Sequence, residues 1–275
     1  MDSRKIIKAI IGAGIGLLFS CSPTRKNSMS PTFAANPVVA HRGAFKKNSL
    51  PENSIASLKE AIRLGCTGSE FDVRMTADDS LIINHDPHFN KLEIEKTTYL
   101  ELTQFKLSNG EKLPTLTDYI LAGLDKNLQT RLVLEIKPSG VSKERGKQIA
   151  EKVVKLIKEL NAGAPIVYIS FDYDILKRVI ELDPKASTQY LNGDKSPAQL
   201  KADRIDGADY HFTVFKKNPD WIEQAKKNKI ILNAWTVNDA ATMDWLLANG
   251  FDFITTNEPE LLFERAKLSP IISGN

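Results

Sequence analysis

Short apolar runs in this chain alternate with segments whose apolar positions recur every three or four residues. The first pattern fits buried strands and the second amphipathic helices. Strands are predicted at 38–41, 70–73, 132–136, 166–170, 187–191, 208–212, 230–235 and 251–255. Helices are predicted at 54–64, 116–124, 142–160, 173–182, 197–204, 219–228, 239–248 and 258–267. The clearest is 142–160, where Ile149, Val153, Ile157 and Leu160 form one stripe. In 54–64, Ile55, Leu58 and Ile62 keep helical spacing, Asn53 is a candidate N-cap and Gly65 a natural stop. Residues 89–113 have weak periodicity and read as loop with a helical turn near Leu100. Strand–helix alternation implies a parallel sheet, and eight such units predict an α/β fold, a (β/α)8 TIM barrel. A doubly wound open sheet shares that alternation and is the rival.

One stretch departs from the rhythm. In residues 68–86, GSEFDVRMTADDSLIINHD, a strand-like run is followed after a turn-like TADD by a second apolar run. The gap is too short for a crossover, so an extra β-hairpin arm after strand two is expected. Centred between Ala77 and Asp78, that turn would bring His85 opposite Glu70. Glu70 and Asp72 lie two apart and share a strand face, ~7 Å from each other.

The ends read differently. Arg4, Lys5 and Lys8 precede an uncharged apolar run at 9–19, which is signal-like and too short to span a bilayer. Residues 1–20 are therefore expected to be a signal peptide. Leu18-Phe19-Ser20-Cys21 resembles a bacterial lipobox, making Cys21 the candidate for lipidation. The expected location is outside the cytoplasm, lipid-anchored to a bacterial membrane at the periplasm or cell surface. Residues 21–36 are rich in Ser, Pro, Thr and Asn and read as a flexible tether to a folded domain at 37–275. With Cys21 lipidated, Cys66 is the single remaining thiol, so no intramolecular disulfide is expected. A composition of 42% hydrophobic and 26% charged residues suits a soluble globular domain. A net charge of +3 gives no reason to expect a nucleic-acid partner. No protein partner is implied.

In a barrel, reactive groups belong at the carboxyl ends of the strands. His41 and Arg42 end strand one, Glu70 and Asp72 lie late in strand two, Glu135 and Lys137 end strand three, and Trp235 ends strand seven. Val133, Glu135 and Lys137 share one face of their strand, with Leu132, Leu134 and Ile136 on the other. Inward charges in a packed barrel are costly unless paired or bound to metal. Glu70, Asp72 and Glu135 form an oxygen-only set that suits Mg²⁺ or Ca²⁺. Arg42 and Lys137 bracket it with positive charge, which calls for an anion such as phosphate. His41 and His85 can divide proton transfer between an attacking and a departing oxygen. Phe171 also ends a barrel strand and is a candidate for shaping the pocket. His88 reads as a solvated loop residue and His211 stays unassigned; Trp221 and Trp245 fall on helices and read as packing.

Several motifs run in order through the domain: HRG at 41–43, PENS at 51–54, EFDVRMT at 70–76, HD at 85–86, LPTL at 113–116, LEIKP at 134–138 and WTVN at 235–238. Together they resemble the glycerophosphodiester phosphodiesterase family. The resemblance implies a metal-dependent barrel enzyme that hydrolyses glycerophosphodiesters to sn-glycerol 3-phosphate and an alcohol. It implies His41 and His85 as the acid–base pair and a divalent cation on Glu70, Asp72 and Glu135. Arg42 and Lys137 would bind phosphate, Trp235 would line the glycerol side, and Glu52 and Phe171 are further substrate-binding candidates. Ser54 stands where the family often has Thr, and an RTT-type sequence is missing after His85, which bears on the alcohol group. A phosphatidylinositol-specific phospholipase C, a lysophospholipase D and a non-catalytic glycerol-phosphate-binding lipoprotein are the alternatives.

Overall fold

The computed structural model describes residues 32–268. The expected signal peptide, Cys21 and most of the tether lie outside the described residues. In chain order the first half comprises β1 (Val38–Ala40), α1 (Ile55–Leu64), β2 (Gly68–Met75), β3 (Leu81–Ile83), β4 (His88–Phe89), β5 (Leu92–Glu93), α2 (Tyr99–Leu102), α3 (Leu116–Leu124) and β6 (Arg131–Ile136). The second half runs α4 (Lys143–Glu159), β7 (Ile166–Ser170), α5 (Tyr173–Leu182), β8 (Ser187–Tyr190), α6 (Pro197–Ala202), β9 (Gly207–His211), α7 (Phe212–Lys217), α8 (Asp220–Asn228), β10 (Ile231–Trp235), α9 (Ala240–Ala248), β11 (Phe253–Thr256) and α10 (Pro259–Leu268).

Eight parallel strands follow one another around the ring in the order β1, β2, β6, β7, β8, β9, β10 and β11. β1 pairs in parallel with both β11 and β2, which closes the barrel and excludes the open-sheet rival. Strand alternation sorts the side chains into two layers. Phe71, Val73, Leu132, Leu134 and Ile136 point outward into the core beneath α3 and α4. Val39, Val133 and Val167 point inward. The floor of the barrel is tight: a Cβ on Gly207 would approach Gln189 Cγ to 2.5 Å. Gln189 and Asn233 fill this floor, and the charged inward groups gather instead at the carboxyl-end mouth.

β3 pairs antiparallel with the far end of β2, as Val73↔Ile83, Arg74↔Ile82 and Met75↔Leu81. That register is one residue away from the expected one, because the turn over residues 76–80 closes with Asp79 in the left-handed region at φ 63°. Thr76 N donates to Ser80 O at 3.0 Å, and Ser80 N donates to Thr76 Oγ1 at 2.9 Å. His85 therefore does not pair opposite Glu70. It leaves the end of β3 in a loop, with its carbonyl oxygen accepting from Arg74 Nε at 2.9 Å.

Other expectations also shift. Ser54, not Asn53, caps α1: Ser54 Oγ accepts from Ser57 N at 3.0 Å and Ser57 Oγ accepts from Ser54 N at 3.2 Å. The sixth barrel strand ends at His211, and Phe212 opens an additional helix, α7, which the His211 ring caps. Barrel contacts begin before Pro37. Ala34 N donates to Gln129 O at 2.9 Å, Asn36 Nδ2 donates to Gly65 O at 2.9 Å, and the Arg131 guanidinium lies 4.1 Å from the centre of the Phe33 ring. Cys66 is free and buried, and burial pushes its thiol up to about 12.

Candidate active site

The site begins with a turn wrapped around one carboxylate. After β1 the backbone enters the left-handed region at Arg42 (φ 54°) and Gly43 (φ 80°). A Cβ on Gly43 would lie 2.5 Å from Ser57 Oγ, so the turn needs glycine twice over. This bend aims Arg42 N at Glu70 Oε2, a hydrogen bond of 2.8 Å. It also brings His41 Nε2 to 3.9 Å from the same oxygen. His41 Nδ1 lies 2.7 Å from Asn257 Oδ1, an acceptor. That contact puts the ring proton on Nδ1 and leaves the Nε2 lone pair toward the cavity.

Asp72 is held from two sides. Asn53 Nδ2 donates to Asp72 Oδ2 at 2.8 Å, and Asp72 N donates to Asn53 Oδ1 at 3.1 Å. Lys137 Nζ sits 2.9 Å from both Asp72 Oδ1 and Glu135 Oε1, in ion-pair range without hydrogen-bond alignment. The in-register pairing Asp72↔Glu135 between β2 and β6 puts the two strands' carboxylates side by side. Arg42 adds a fork: its Nη1 donates to Glu52 Oε1 at 2.8 Å and Oε2 at 2.9 Å. Its Nε lies 3.7 Å from Asp72 Oδ2.

His41, Arg42, Glu70, His85, Glu135, Lys137, Phe171 and Trp235 all line one cavity. Asp72 lies in the carboxylate cluster beside it. Glu52 is not part of the lining; it is an outer brace on Arg42. His85 Nδ1 contacts Asp86 Oδ1 at 2.8 Å, which orients the ring. Across the mouth, Phe171 and Trp235 meet edge to face at 5.4 Å, and the His211 ring stands 5.2 Å from Trp235. His88 is exposed on β4 and is not in the lining.

A model of the glycerophosphoryl diester phosphodiesterase family matches residues 41–261, the span that carries every one of these groups. The chain belongs to this family of phosphoric diester hydrolases. A glycerophosphodiester phosphodiesterase of Caldanaerobacter subterraneus subsp. tengcongensis is 32% identical over 239 residues, covering 82% of this chain and 95% of that protein. The crystal structure of a glycerophosphodiester phosphodiesterase from Parabacteroides distasonis is 40% identical with a TM-score of 0.81, covering 86% of this chain and 98% of that one. A phosphodiesterase from Oleispira antarctica, solved with its product sn-glycerol-3-phosphate, shares the fold at a TM-score of 0.72 and 23% identity, covering 85% and 97% of the two chains.

Electrostatics in this family member test whether a cation fits. Oxygens of Glu70, Asp72 and Glu135 lie within 4.8 Å of one another, the one such group of three among the described residues. Glu70 Oε1 has no hydrogen-bond partner there. Burial, reinforced by Asp72 and then Glu135, holds the Glu70 carboxyl well above the usual range. Burial and the Asp72 charge push Glu135 up to about 7. Burial works the same way on Asp72, but the Lys137 and His85 charges and the Asn53 hydrogen bond together outweigh it and bring that carboxyl down to about 2. Lys137 is raised, because Asp72 and Glu135 more than offset its desolvation. Burial, with the Arg42 charge second, lowers His41 to about 4. Three buried carboxyls with an unpaired oxygen and more negative charge than their neighbours balance are a donor set that fits a hard divalent cation.

Two residues that shape the site are not singled out in the sequence. Asn53 carries a motif signal but reads there as a helix cap, while its side chain is spent on Asp72. Asp209 lines the cavity from β9 and has no motif around it. The one available signal was strand phase, since it faces inward one step before His211.

Proposed function

We propose that the protein hydrolyses glycerophosphodiesters to sn-glycerol 3-phosphate and an alcohol, using His41 and His85 for proton transfer and Mg²⁺ or Ca²⁺ on Glu70, Asp72 and Glu135. The observation that carries this reading is the convergence of both histidines, the carboxylate group and two cations on one barrel mouth. Bound among those carboxylates, a hard divalent cation supplies electrophilic charge toward the phosphoryl oxygens. Arg42 and Lys137 add fixed positive charge where negative charge grows in an in-line displacement. The attacking hydroxyl, from water or from the glycerol 2-position, passes its proton to His41 Nε2 as the new P–O bond forms. The P–O bond to the alcohol then breaks, and the departing oxygen takes a proton from His85. Attack by the 2-hydroxyl has the advantage of an intramolecular nucleophile; it leaves a cyclic phosphate, which water then opens to sn-glycerol 3-phosphate with the two histidines exchanging roles. Phe171 and Trp235 form the apolar wall against which the glycerol carbons rest.

Export and anchoring through a diacylated Cys21 are part of the same proposal, as is the soluble, small-molecule nature of the substrate. Among the described residues no helix is long and apolar enough to cross a membrane. A Cys21→Ser variant expressed in a bacterial host is expected to leave the membrane fraction; retention there would remove the lipid anchor from this reading. The decisive assay is a rate panel over glycerophosphodiesters with different alcohols, with EDTA and with added Mg²⁺ or Ca²⁺. Metal-dependent release of glycerol phosphate supports the assignment. Failure to release it from any substrate with either metal overturns it.

A further inference from the structure

Asp209 is a buried acid without a task in the chemistry above. It sits in the middle of β9, four strands around the ring from β2, and is 1% exposed. Asp209 nevertheless lines the catalytic cavity beside the aromatic wall, where Trp235 Nε1 donates to the Asp209 carbonyl oxygen at 2.9 Å. Oδ1 has no hydrogen-bond partner among the described residues. Asp209 is also outside the group of three carboxylates that could hold a metal. Leaving a buried polar atom unpaired destabilises a fold, so an orphan facing a cavity points to a partner that arrives with the ligand.

We propose that Asp209 is the specificity-determining residue of this pocket, where its carboxyl hydrogen-bonds a free hydroxyl of the substrate's glycerol moiety. The proposal rests on the glycerophosphodiesterase reading and adds to it the residue that selects glycerol. Burial first, and the Glu135 charge second, raise the Asp209 carboxyl well above its usual range, opposed by a hydrogen bond from Asn233. In its protonated form the carboxyl has one O–H to donate and an oxygen to accept with, which matches a hydroxyl in both senses. A ligand without that hydroxyl leaves Oδ1 unpaired in a site the ligand itself has dried, and such sites discriminate strongly. Apolar contacts from Phe171 and Trp235 cannot do this, because an apolar wall gains nothing from a hydroxyl and would favour the deoxy analogue.

The test uses the full chain with Mg²⁺ or Ca²⁺ and measures kcat/KM for glycerophosphocholine, its two monodeoxyglycerol analogues and bis(4-nitrophenyl) phosphate. The wild-type protein is expected to prefer glycerophosphocholine over at least one deoxy analogue by about 100-fold or more. Asp209→Leu is expected to lose about 100-fold on glycerophosphocholine while staying within about 3-fold on bis(4-nitrophenyl) phosphate, which has no hydroxyl to read. Its preference over the deoxy analogue should collapse. Asp209→Asn keeps a neutral donor and acceptor and is expected to retain glycerol selectivity to within about 5-fold. Equal losses on both substrates in Asp209→Leu, or undiminished discrimination, overturn the proposal. Wild-type protein that cleaves bis(4-nitrophenyl) phosphate but no glycerophosphodiester overturns the function proposed above, and the glycerol assignment with it.

Discussion

The two halves of the barrel mouth solve different problems. On β1, β2 and β6, polar groups hold one another: Asn53 grips Asp72, Lys137 bridges Asp72 and Glu135, Arg42 is forked by Glu52, and Asn257 orients His41. On β7 to β10 the wall is Ile169, Phe171, Leu191 and Trp235, with Asp209 as its one carboxyl in the lining. The first half is preorganised for charge, which suits stabilisation of a phosphoryl-transfer transition state. The second offers shape and a single open hydrogen bond, which suits choice of substrate. Under the proposed function, rate would belong to one side and selectivity to the other.

The largest effects that would break this division come from the charged half. His41→Ala and His85→Ala are each expected to lower kcat by about 10²–10⁴-fold with unchanged thermal melting. A rate within tenfold of wild type in either variant would remove that histidine from the chemistry. Next comes the cation. After chelation, adding Mg²⁺ or Ca²⁺ at about 100 times its Kd should stabilise the wild-type fold by ~2.7 kcal/mol, read as a rise in Tm. Glu135→Gln should lose most of that rise; an equal rise in both proteins would place the ion elsewhere.

Smaller effects test the apolar half. Trp235→Ala is expected to raise KM about 10-fold with a lesser change in kcat, as for a group that binds ground state and transition state alike. A fall in kcat at constant KM would instead give the wall a part in the chemistry. Glu52→Gln, which loosens an ion pair with one partner 44% exposed, is expected to change kcat/KM by only about 2–5-fold. The smallest effect concerns stability. An Asp209 carboxyl raised above its unfolded value of ~3.9 favours the fold at low pH and works against it increasingly as pH rises toward the raised value. Asp209→Asn should therefore raise Tm by about 2–4 °C at pH 8 and by less at pH 5, followed by calorimetry. A gain that shrinks with rising pH would mean an ionised Asp209 with a partner.

The charged half was also the more legible. HRG, EFD and LEIK carry their chemistry in adjacent or alternate residues, so strand phase alone predicts that Glu70 and Asp72, or Glu135 and Lys137, face the same way. Lys137 reads as a phosphate-side cation, yet in the fold it is also the clamp between two carboxylates. Asn53 has the chemistry of a good helix cap, and nothing local shows that Ser54 takes that place and frees Asn53 for Asp72. The hairpin register slipped by one because a left-handed Asp79 lengthens the turn, a backbone choice that Asp only weakly signals. Glu52 sits in a motif and still stands outside the cavity, because its partner is the side chain of Arg42.

What the amino-acid order determined by itself was the alternation of strands and helices, the inward phase of the charged strands and the candidates for the reactive groups. These depend on periodicity and residue chemistry, which are local. Closure of β1 onto both β2 and β11 was decided only by the tertiary structure, and with it the meeting of His41, His85 and Glu135 at one mouth. So was the unpaired Oδ1 of Asp209. Whether a buried acid has a partner depends on side chains from strands far away in sequence, here Gln189 on β8 and Asn233 on β10, and on the ring that sets their distances.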